Sequence, residues 1–433
     1  MDENQKTKSI KFDMAYNFDK KLIEDISKFG IVSGVYAKMK HDDVGGGRAS
    51  LILPEVSWQK IEEHVQLCHK NNIKFNYLLN ALCLGNKEFV KEHHKKILEL
   101  LDRVVNAKVD SVTVANPYIC QMIKKQYPHL EVSISVNLRI RSLQQIRYWE
   151  GFGADEITLD QLVNRDFNLL REILKYTKQT GTRIRLFANN LCLHDCPLRT
   201  HHGLSNSHAS QTGEYTTESH ILYEYYLCTL LKMTSPAKLI SATWIRPDDV
   251  HYYEELMNEV GNPNLSLKLV ERGSTSEYLL KTVKAYSERR FDGNLMDIIY
   301  AIQKRFLLDN KKEAADDSNV FAERISKGEY NPESLRKLDN LFNLDWFHID
   351  NRKLDGFLDK FKSKSCGNKI CDDEGWRQSS SLDINSEQTC SYCRAWAEKA
   401  ITVDEDKRRQ YIEGIREFLD DLNSSKVFNL NKA

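Results

Sequence analysis

The strongest constraint on the fold is an alternation of short apolar segments with amphipathic helical segments over roughly the first 275 residues. Eight apolar segments are predicted to be strands: Val32–Met39, Ile73–Leu79, Ser111–Ala115, Leu130–Val136, Glu156–Leu159, Arg183–Ala188, Lys238–Trp244 and Leu265–Val270. The intervening segments carry apolar residues at helical spacing. Strands that alternate with helices form parallel βα units, and eight such units favour a TIM-like (β/α)8 barrel over an open doubly wound sheet.

The sequence predicts three regions in this α/β chain of 433 residues. Residues 1–308 are expected to form the barrel, with a cysteine-bearing insertion at 191–235. Residues 309–345, which are rich in charge, are expected to be a linker or a helical connection. Residues 346–433 are expected to form a small, cysteine-rich, mainly helical C-terminal domain that binds a metal ion or a cluster.

The charge balance and the cysteine content narrow the class of protein. Lysine and arginine number 62, as do aspartate and glutamate, and this balance argues against a stable nucleic-acid binder. No apolar run approaches the ~20 residues of a membrane span, and the N-terminus lacks the apolar core of a signal peptide. We therefore expect a cytoplasmic protein that does not enter membranes. In that reducing compartment its ten cysteines favour metal or redox ligands over disulfides.

Three cysteines follow the sixth predicted strand, inside the insertion: Cys192, Cys196 and Cys228. Thiolates are the ligands of iron–sulfur clusters and of zinc. Three sulfurs without an evident fourth favour a cluster that has one open or non-cysteine position, with zinc as the alternative. The Cys-x3-Cys-x2-Cys motif of radical SAM enzymes is absent, because Arg199 stands where the third cysteine of that motif would fall.

Four further cysteines lie near the C-terminus: Cys366, Cys371, Cys390 and Cys393. A Cys-x2-Cys pair at the start of a predicted helix, together with a second pair, strongly indicates a metal site. Zinc would make this a structural site with four protein ligands, whereas a second 4Fe–4S cluster would make it an electron relay. The spacing leaves both alternatives open. Cys68, Cys83 and Cys120 are expected to be small buried hydrophobic residues.

Polar residues follow several predicted strands, where the active site of a barrel lies. The candidate catalytic residues are His194, His201, His202, Asn80 and Asn137. The candidate substrate-binding residues are Arg246, Lys268, Arg272, Asn189 and Asn190. Cations at a barrel mouth suit a carboxylate or phosphate group. The alternatives are strand-end turns for the asparagines, ion pairs for the cations and solvated loop positions for the histidines.

These features together resemble the collagenase-like peptidase family thirty-two, of unknown catalytic type, over roughly residues 30–305. The similar segments are GGGRAS (Gly45–Ser50), DSVTVANP (Asp110–Pro117), NNLC (Asn189–Cys192), IRPDDV (Ile245–Val250) and KLVER (Lys268–Arg272). Two departures set this chain apart. The region of Thr243, Trp244 and Val250 lacks the fourth cysteine usual in the family, and Glu271 is displaced by one position from the family's glutamate.

The resemblance implies an activity and a cofactor. The better-understood members are oxygen-independent hydroxylases that carry a 4Fe–4S cluster on four cysteines and act in ubiquinone synthesis or on RNA, with prephenate as the implied oxygen donor. By resemblance, Cys192, Cys196 and Cys228 are cluster ligands in this chain. We therefore expect an iron–sulfur-dependent tailoring enzyme that hydroxylates or otherwise oxidises a small molecule, a peptide or an RNA base.

Two other functions are considered. A peptidase would need an activated nucleophile, a metal-bound water or a pair of acids, and the sequence contains neither HExxH nor Gly-x-Ser-x-Gly. The chain could also be a non-catalytic, cluster-bearing subunit of a heterodimer, since family members work in pairs. An electron donor or a paralogous subunit is therefore an expected partner, besides the small-molecule or peptide substrate.

Overall fold

A closed parallel barrel forms the centre of the molecule. The computed structural model of the chain describes residues 9–48, 53–212, 221–300, 327–337, 344–364, 366 and 389–430. Eight parallel strands pair in chain order, and the last strand closes the barrel by pairing with the first. They are β1 (Lys11–Ala15), β2 (Val32–Ala37), β3 (Lys74–Leu79), β4 (Ser111–Val114), β5 (Glu131–Ile134), β6 (Glu156–Thr158), β7 (Arg183–Phe187) and β8 (Leu265–Leu269). The predicted TIM-like (β/α)8 barrel is therefore confirmed.

Each of the first six strands is followed by one α-helix that packs around the barrel. These helices are α1 (Lys20–Ser27), α2 (Trp58–Lys70), α3 (Lys91–Asn106), α4 (Pro117–Gln126), α5 (Leu143–Gly151) and α6 (Phe167–Thr180). Polar side chains fix where the helices begin. Asn116, for example, accepts hydrogen bonds from the backbone N–H groups of Tyr118 and Ile119, and Pro117 supplies the first helical residue.

The connection between β7 and β8 is far longer than the others, and its described residues form four α-helices. They are α7 (Arg199–Ala209), α8 (Ile221–Met233), α9 (Ala237–Ser241) and α10 (Val250–Val260). After β8 come α11 (Ser276–Glu288) and α12 (Met296–Ile299). This long connection begins at the C-terminal end of β7, so it lies over the face of the barrel where active sites form.

Two strand assignments differ from the prediction. Seven of the eight predicted strands are present, but Lys238–Trp244 was wrongly predicted, because Ala237–Ser241 forms the short helix α9 after Pro236. Beyond that helix the chain is extended, and the Ile245 N–H donates to the Ala188 carbonyl at 2.8 Å. The strand that completes the barrel is β1, which the sequence analysis did not find.

The C-terminal segments pack directly against the long connection. They comprise α13 (Pro332–Arg336), β9 (Phe347–Ile349), α14 (Ser391–Ala400), β10 (Ile401–Val403) and α15 (Glu405–Asn423). Strands β9 and β10 pair antiparallel, α14 packs on α9, and α15 packs on α8. The boundary at 308 and most of the connection 309–345 lie outside the described residues, so the predicted domain limits stay predictions. Within the described ranges, no helix is long and apolar enough to cross a membrane.

An ion cluster spans the inside of the barrel. The Arg185 guanidinium of β7 lies 2.7 Å from the Asp13 carboxylate of β1 and 2.5 Å from the Glu156 carboxylate of β6. The Ser133 hydroxyl of β5 also donates to Glu156, at 2.7 Å. Strands β1 and β6 are not neighbours in the sheet, so these side chains meet across the interior.

Candidate functional site

Three cysteines of the long connection come together at the barrel mouth. Cys192 and Cys196 lie in the loop after β7, and Cys228 lies on α8; all three are half-buried and form no disulfide. Burial raises the pKa of Cys196 to about 11, and the nearby Cys228 and Cys192 contribute to that shift. The Asn190 side chain holds the loop, since it accepts from the Cys192 N–H at 2.7 Å and donates to Gln161 at 2.9 Å.

Two basic residues accompany these thiols. Lys232, one helical turn after Cys228 on α8, hydrogen-bonds the Cys228 sulfur. Burial opposes the charge of Lys232, but the thiols of Cys228 and Cys192 raise its pKa overall. Arg48 also interacts electrostatically with Cys192, and its guanidinium lies 2.6 Å from the Glu271 carboxylate. Lys232 and Arg48 therefore place positive charge near two of the three thiols, which favours thiolate ligands there.

The strand β8 and the loop after it supply two deeply buried cations. The Lys268 Nζ lies 3.7 Å from the centroid of the Tyr36 ring. Burial, followed by repulsion from Arg185, holds the pKa of Lys268 well below its usual value. Burial and repulsion from Arg48 lower the pKa of Arg272 to about 10. Among the described residues, neither cation has a carboxylate within ion-pair distance, and the buried Nη1 of Arg272 has no hydrogen-bond partner. This arrangement suits an anionic ligand.

Two of the candidate catalytic residues hold a glycine-rich loop. The Asn80 side chain accepts from the Gly47 N–H at 3.2 Å and donates to the Ser135 hydroxyl at 3.0 Å. The Asn137 side chain approaches the Asn80 carbonyl at 3.5 Å. A Cβ atom at Gly47 would lie 2.3 Å from the Asn137 Nδ2, so a larger residue there would displace the Asn137 side chain. The two asparagines thereby fix the loop that leads to Arg48.

Two predicted substrate ligands already use their polar groups within the protein. The Asn189 amide accepts from the Val270 N–H at 2.7 Å and donates to the Ile298 carbonyl at 3.1 Å. The Arg246 guanidinium binds Asp249 through two hydrogen bonds of 2.8 and 2.7 Å, and it donates to the Asn351 carbonyl at 2.6 Å. Asn189 thus ties the ends of β7 and β8 together. The roles of both residues in substrate binding stay predictions.

The three histidines occupy different surroundings. His194, between Cys192 and Cys196, has its Nε2 3.6 Å from the sulfur of Cys366. His201 on α7 hydrogen-bonds the buried Glu224 carboxylate through Nδ1. His202 is exposed on the same helix, and its N–H donates to the Leu198 carbonyl. Their catalytic roles stay predictions.

The C-terminal cysteines are also brought close to one another. Cys390 and Cys393 are buried at the start of α14, and a hydrogen bond with Cys390, with burial, holds the pKa of Cys393 well above its usual value. Cys366 adds to that effect, whereas Cys371 lies outside the described residues. Across the described parts of the chain, no three His, Cys, Asp or Glu side chains already surround one point as metal ligands.

The remaining cysteines fit their expected role only in part. Cys68 and Cys120 are buried in helices, as expected, but Cys83 is half-buried in the loop after β3.

The sequence analysis did not identify Lys232 or the Arg48–Glu271 ion pair as parts of the site. Lys232 could have been found, because it lies four residues after Cys228 in the sequence, a spacing that brings two side chains together on a helix such as α8. Glu271 has a φ of 95°, which is a strained value for a residue with a side chain. The sequence contains no pattern that predicts this backbone conformation.

Comparison with known proteins places this barrel in a family. Residues 46–292 match the sequence profile of peptidase family U32. An uncharacterized protease of Methanocaldococcus jannaschii is 26% identical over 360 residues, which cover 83% of this chain and 86% of that protein. A solved U32 peptidase structure is 16% identical, covers 63% of this chain and 96% of its own, and has a TM-score of 0.44. A citrate synthase structure is 12% identical, covers 42% of this chain and 79% of its own, and has a TM-score of 0.28. The match to the family profile spans more than half of the sequence, and the chain therefore belongs to peptidase family U32.

Proposed function

We propose that this protein is an iron–sulfur-dependent enzyme that hydroxylates, or otherwise oxidises by two electrons, an organic substrate without using molecular oxygen. One observation carries the proposal: three thiols share the C-terminal end of one barrel with two buried cations that, among the described residues, have no carboxylate at ion-pair distance. Cys192, Cys196 and Cys228 supply the sulfur ligands, and Lys268 and Arg272 supply the anion site.

The thiol group fits a 4Fe–4S cluster in its donor chemistry. Cysteine thiolates are the usual cluster ligands, and three of them leave one iron without a cysteine. Lys232 at Cys228 and Arg48 near Cys192 offset the negative charge of thiolates in a partly buried place. A cluster bound here would supply one-electron redox chemistry and a Lewis-acidic iron at the barrel mouth.

The cation pair fits an anionic substrate or oxygen donor. A buried guanidinium with an unpartnered N–H group is costly unless a ligand accepts from it. Prephenate, which carries two carboxylates, matches this requirement, and Arg272 would bind one carboxylate through its planar fork. The Arg48–Glu271 ion pair links the two halves of the site, since Arg48 interacts with both Cys192 and Arg272.

The electron balance of the reaction determines which co-substrate or redox partner it needs. Converting a C–H bond to C–OH removes two electrons from the substrate, so the oxygen donor must accept two electrons in the same turnover. If the donor is absent, an external electron acceptor and water must take its place. This requirement is why a prephenate-like donor or a redox partner belongs to the proposal.

Iron analysis under anaerobic conditions tests the proposal. We expect reconstituted protein to bind close to four iron and four sulfide ions at this site, with the broad absorption near 400 nm that iron–sulfur clusters show. The double variant Cys192→Ala/Cys196→Ala should lose that absorption. The matched control is Cys83→Ala, which removes another half-buried thiol and should keep the cluster.

Titration with prephenate tests the anion site in the same preparations. The wild-type protein should bind prephenate, and Arg272→Gln should weaken binding by at least tenfold because a charged bidentate contact is lost. Absence of iron after reconstitution would overturn the proposal. Peptide cleavage by metal-free protein would instead favour a peptidase.

A further inference from the structure

The loop that carries Cys192 and Cys196 also makes a contact with the C-terminal segment. His194, between those two cysteines, has its Nε2 3.6 Å from the Cys366 sulfur. Zinc binds sulfur at ≈ 2.3 Å and imidazole nitrogen at ≈ 2.0–2.1 Å in a tetrahedral site. Two ligands of one such ion are therefore about 3.5 Å apart. The observed separation of 3.6 Å matches that of two ligands on a single zinc ion, and in the unliganded protein the same distance is a hydrogen bond between the thiol and the imidazole.

A second ligand pair lies at the start of α14. Cys390 precedes the helix and Cys393 lies in its first turn, and the two sulfurs are within hydrogen-bonding reach of each other. Both are buried, and the N-terminus of a helix stabilises thiolates. The helix is fixed in place, because the Tyr392 ring stacks on Phe357 and its hydroxyl donates to the Phe357 carbonyl at 2.7 Å.

A fully buried arginine supplies the balancing charge. Arg165 donates to the carbonyls of Ile240 and Ala242, and within the described residues no carboxylate lies at ion-pair distance from it. Its guanidinium interacts electrostatically with Cys393 and then with Cys366. Three thiolates around one Zn²⁺ carry a single net negative charge, and Arg165 would neutralise that charge. Asp249 also interacts electrostatically with Arg165, but less than the two thiols do.

We propose that Cys366, Cys390, Cys393 and His194 are the four ligands of a structural zinc ion. The ion draws the Cys366–His194 pair and the Cys390–Cys393 pair onto one centre, as metal binding commonly completes local folding. It thereby ties the C-terminal segment to the loop that bears Cys192 and Cys196. A closed site with four protein ligands does no chemistry, so this inference goes beyond the proposed function and does not depend on it.

The mixed donor set favours zinc over a second iron–sulfur cluster. The ligands of a four-iron cluster attach to different irons and are therefore further apart than ligands of one ion. Imidazole is a common zinc ligand, whereas such clusters are held mainly by cysteine. In this assignment His194 takes the position for which the sequence predicts Cys371, and Cys371→Ala is therefore the critical comparison.

Metal analysis of the full-length chain tests the assignment. We expect one zinc ion per chain in the wild type, loss of zinc in His194→Ala and in Cys393→Ala, and full retention in Cys371→Ala. The variant His194→Cys keeps a zinc ligand and should retain the ion. Zinc and iron are measured in the same samples, so that Cys192→Ala, which should lose iron and keep zinc, separates the two sites.

Cobalt substitution gives a readout that does not depend on activity. The wild-type protein loaded with Co²⁺ should show the spectrum of a tetrahedral ion with three sulfurs and one nitrogen. His194→Cys should shift its ligand-field bands to longer wavelength, toward those of a four-sulfur site. Zinc loss in Cys371→Ala, zinc retention in His194→Ala, an unshifted cobalt spectrum or iron in place of zinc would each overturn the proposal.

Discussion

Arg185 and Arg272 are both buried arginines of the same barrel, and their surroundings are opposite. Burial opposes the charge of Arg185, but Asp13 and Glu156 raise its pKa overall. Burial also opposes the charge of Arg272, and there the next contribution is repulsion from Arg48, so its pKa falls to about 10. The protein itself offsets the desolvation of Arg185. The desolvation of Arg272 is left for a ligand to offset, which distinguishes a structural cation from a binding one.

The largest expected effect follows from breaking the internal ion cluster. Arg185→Met leaves the largely buried Asp13 without its cation and leaves Glu156 with only the longer 3.7 Å contact to Arg183. We therefore expect the free energy of unfolding to fall by about 3 kcal/mol. Urea unfolding at neutral pH measures the change. The control is Arg290→Met, because Arg290 is 63% exposed where it meets Asp292, away from the ion cluster.

The control should change stability by no more than about 1 kcal/mol, as is usual for exposed ion pairs. Similar losses in the two variants would show that burial does not set the contribution of these arginines. The interpretation of Arg185 as a cation that stabilises the folded barrel would then be wrong.

The next prediction tests whether Arg272 is a ligand-binding cation. Arg272→Met removes a buried charge without an acidic partner, so the unliganded protein should be as stable as the wild type or slightly more stable. Its affinity for prephenate should fall roughly thirtyfold, since a charged hydrogen-bonded contact contributes about 2 kcal/mol. Urea unfolding with and without prephenate measures both quantities. A loss of stability as large as that of Arg185→Met would place Arg272 among the structural cations instead.

The sequence predicted the barrel well because its signal is local. Each βα unit contains an apolar strand and an amphipathic helix within a few tens of residues, and seven of the eight strands followed from that pattern. The strand β1 escaped because Lys11 and Asp13 interrupt its apolar residues, and the partner that explains Asp13 is Arg185, far along the chain. Lys238–Trp244 was predicted to be a strand because its residues are common in strands, whereas the chain forms a short helix directly after Pro236.

The candidate site was predictable only where spacing carries the information. Cysteine spacing indicated two groups of thiols, because ligands of one centre recur at short intervals. It could not pair His194 with Cys366, since that contact joins the loop after β7 to a segment more than 150 residues later. Lys268 and Arg272 were found as strand-end cations, but their lack of acidic partners among the described residues depends on the whole barrel.

The smallest expected effect, taken per pH unit, concerns the pH dependence of stability. Lys268 has its folded-state pKa well below the ordinary 10.5, so between the two pKa values the unfolded chain binds more protons than the folded one. Stability therefore rises with pH across that window, by less than about 1.4 kcal/mol per pH unit for one lysine. Lys268→Met should remove this rise and be more stable than the wild type at neutral pH. Urea unfolding from pH 7 to 10.5 measures the difference, with Lys11→Met controlling for the loss of one lysine from a barrel strand. Parallel stability curves for the wild type and Lys268→Met would mean that Lys268 is neutralised by an internal partner, as Arg185 is.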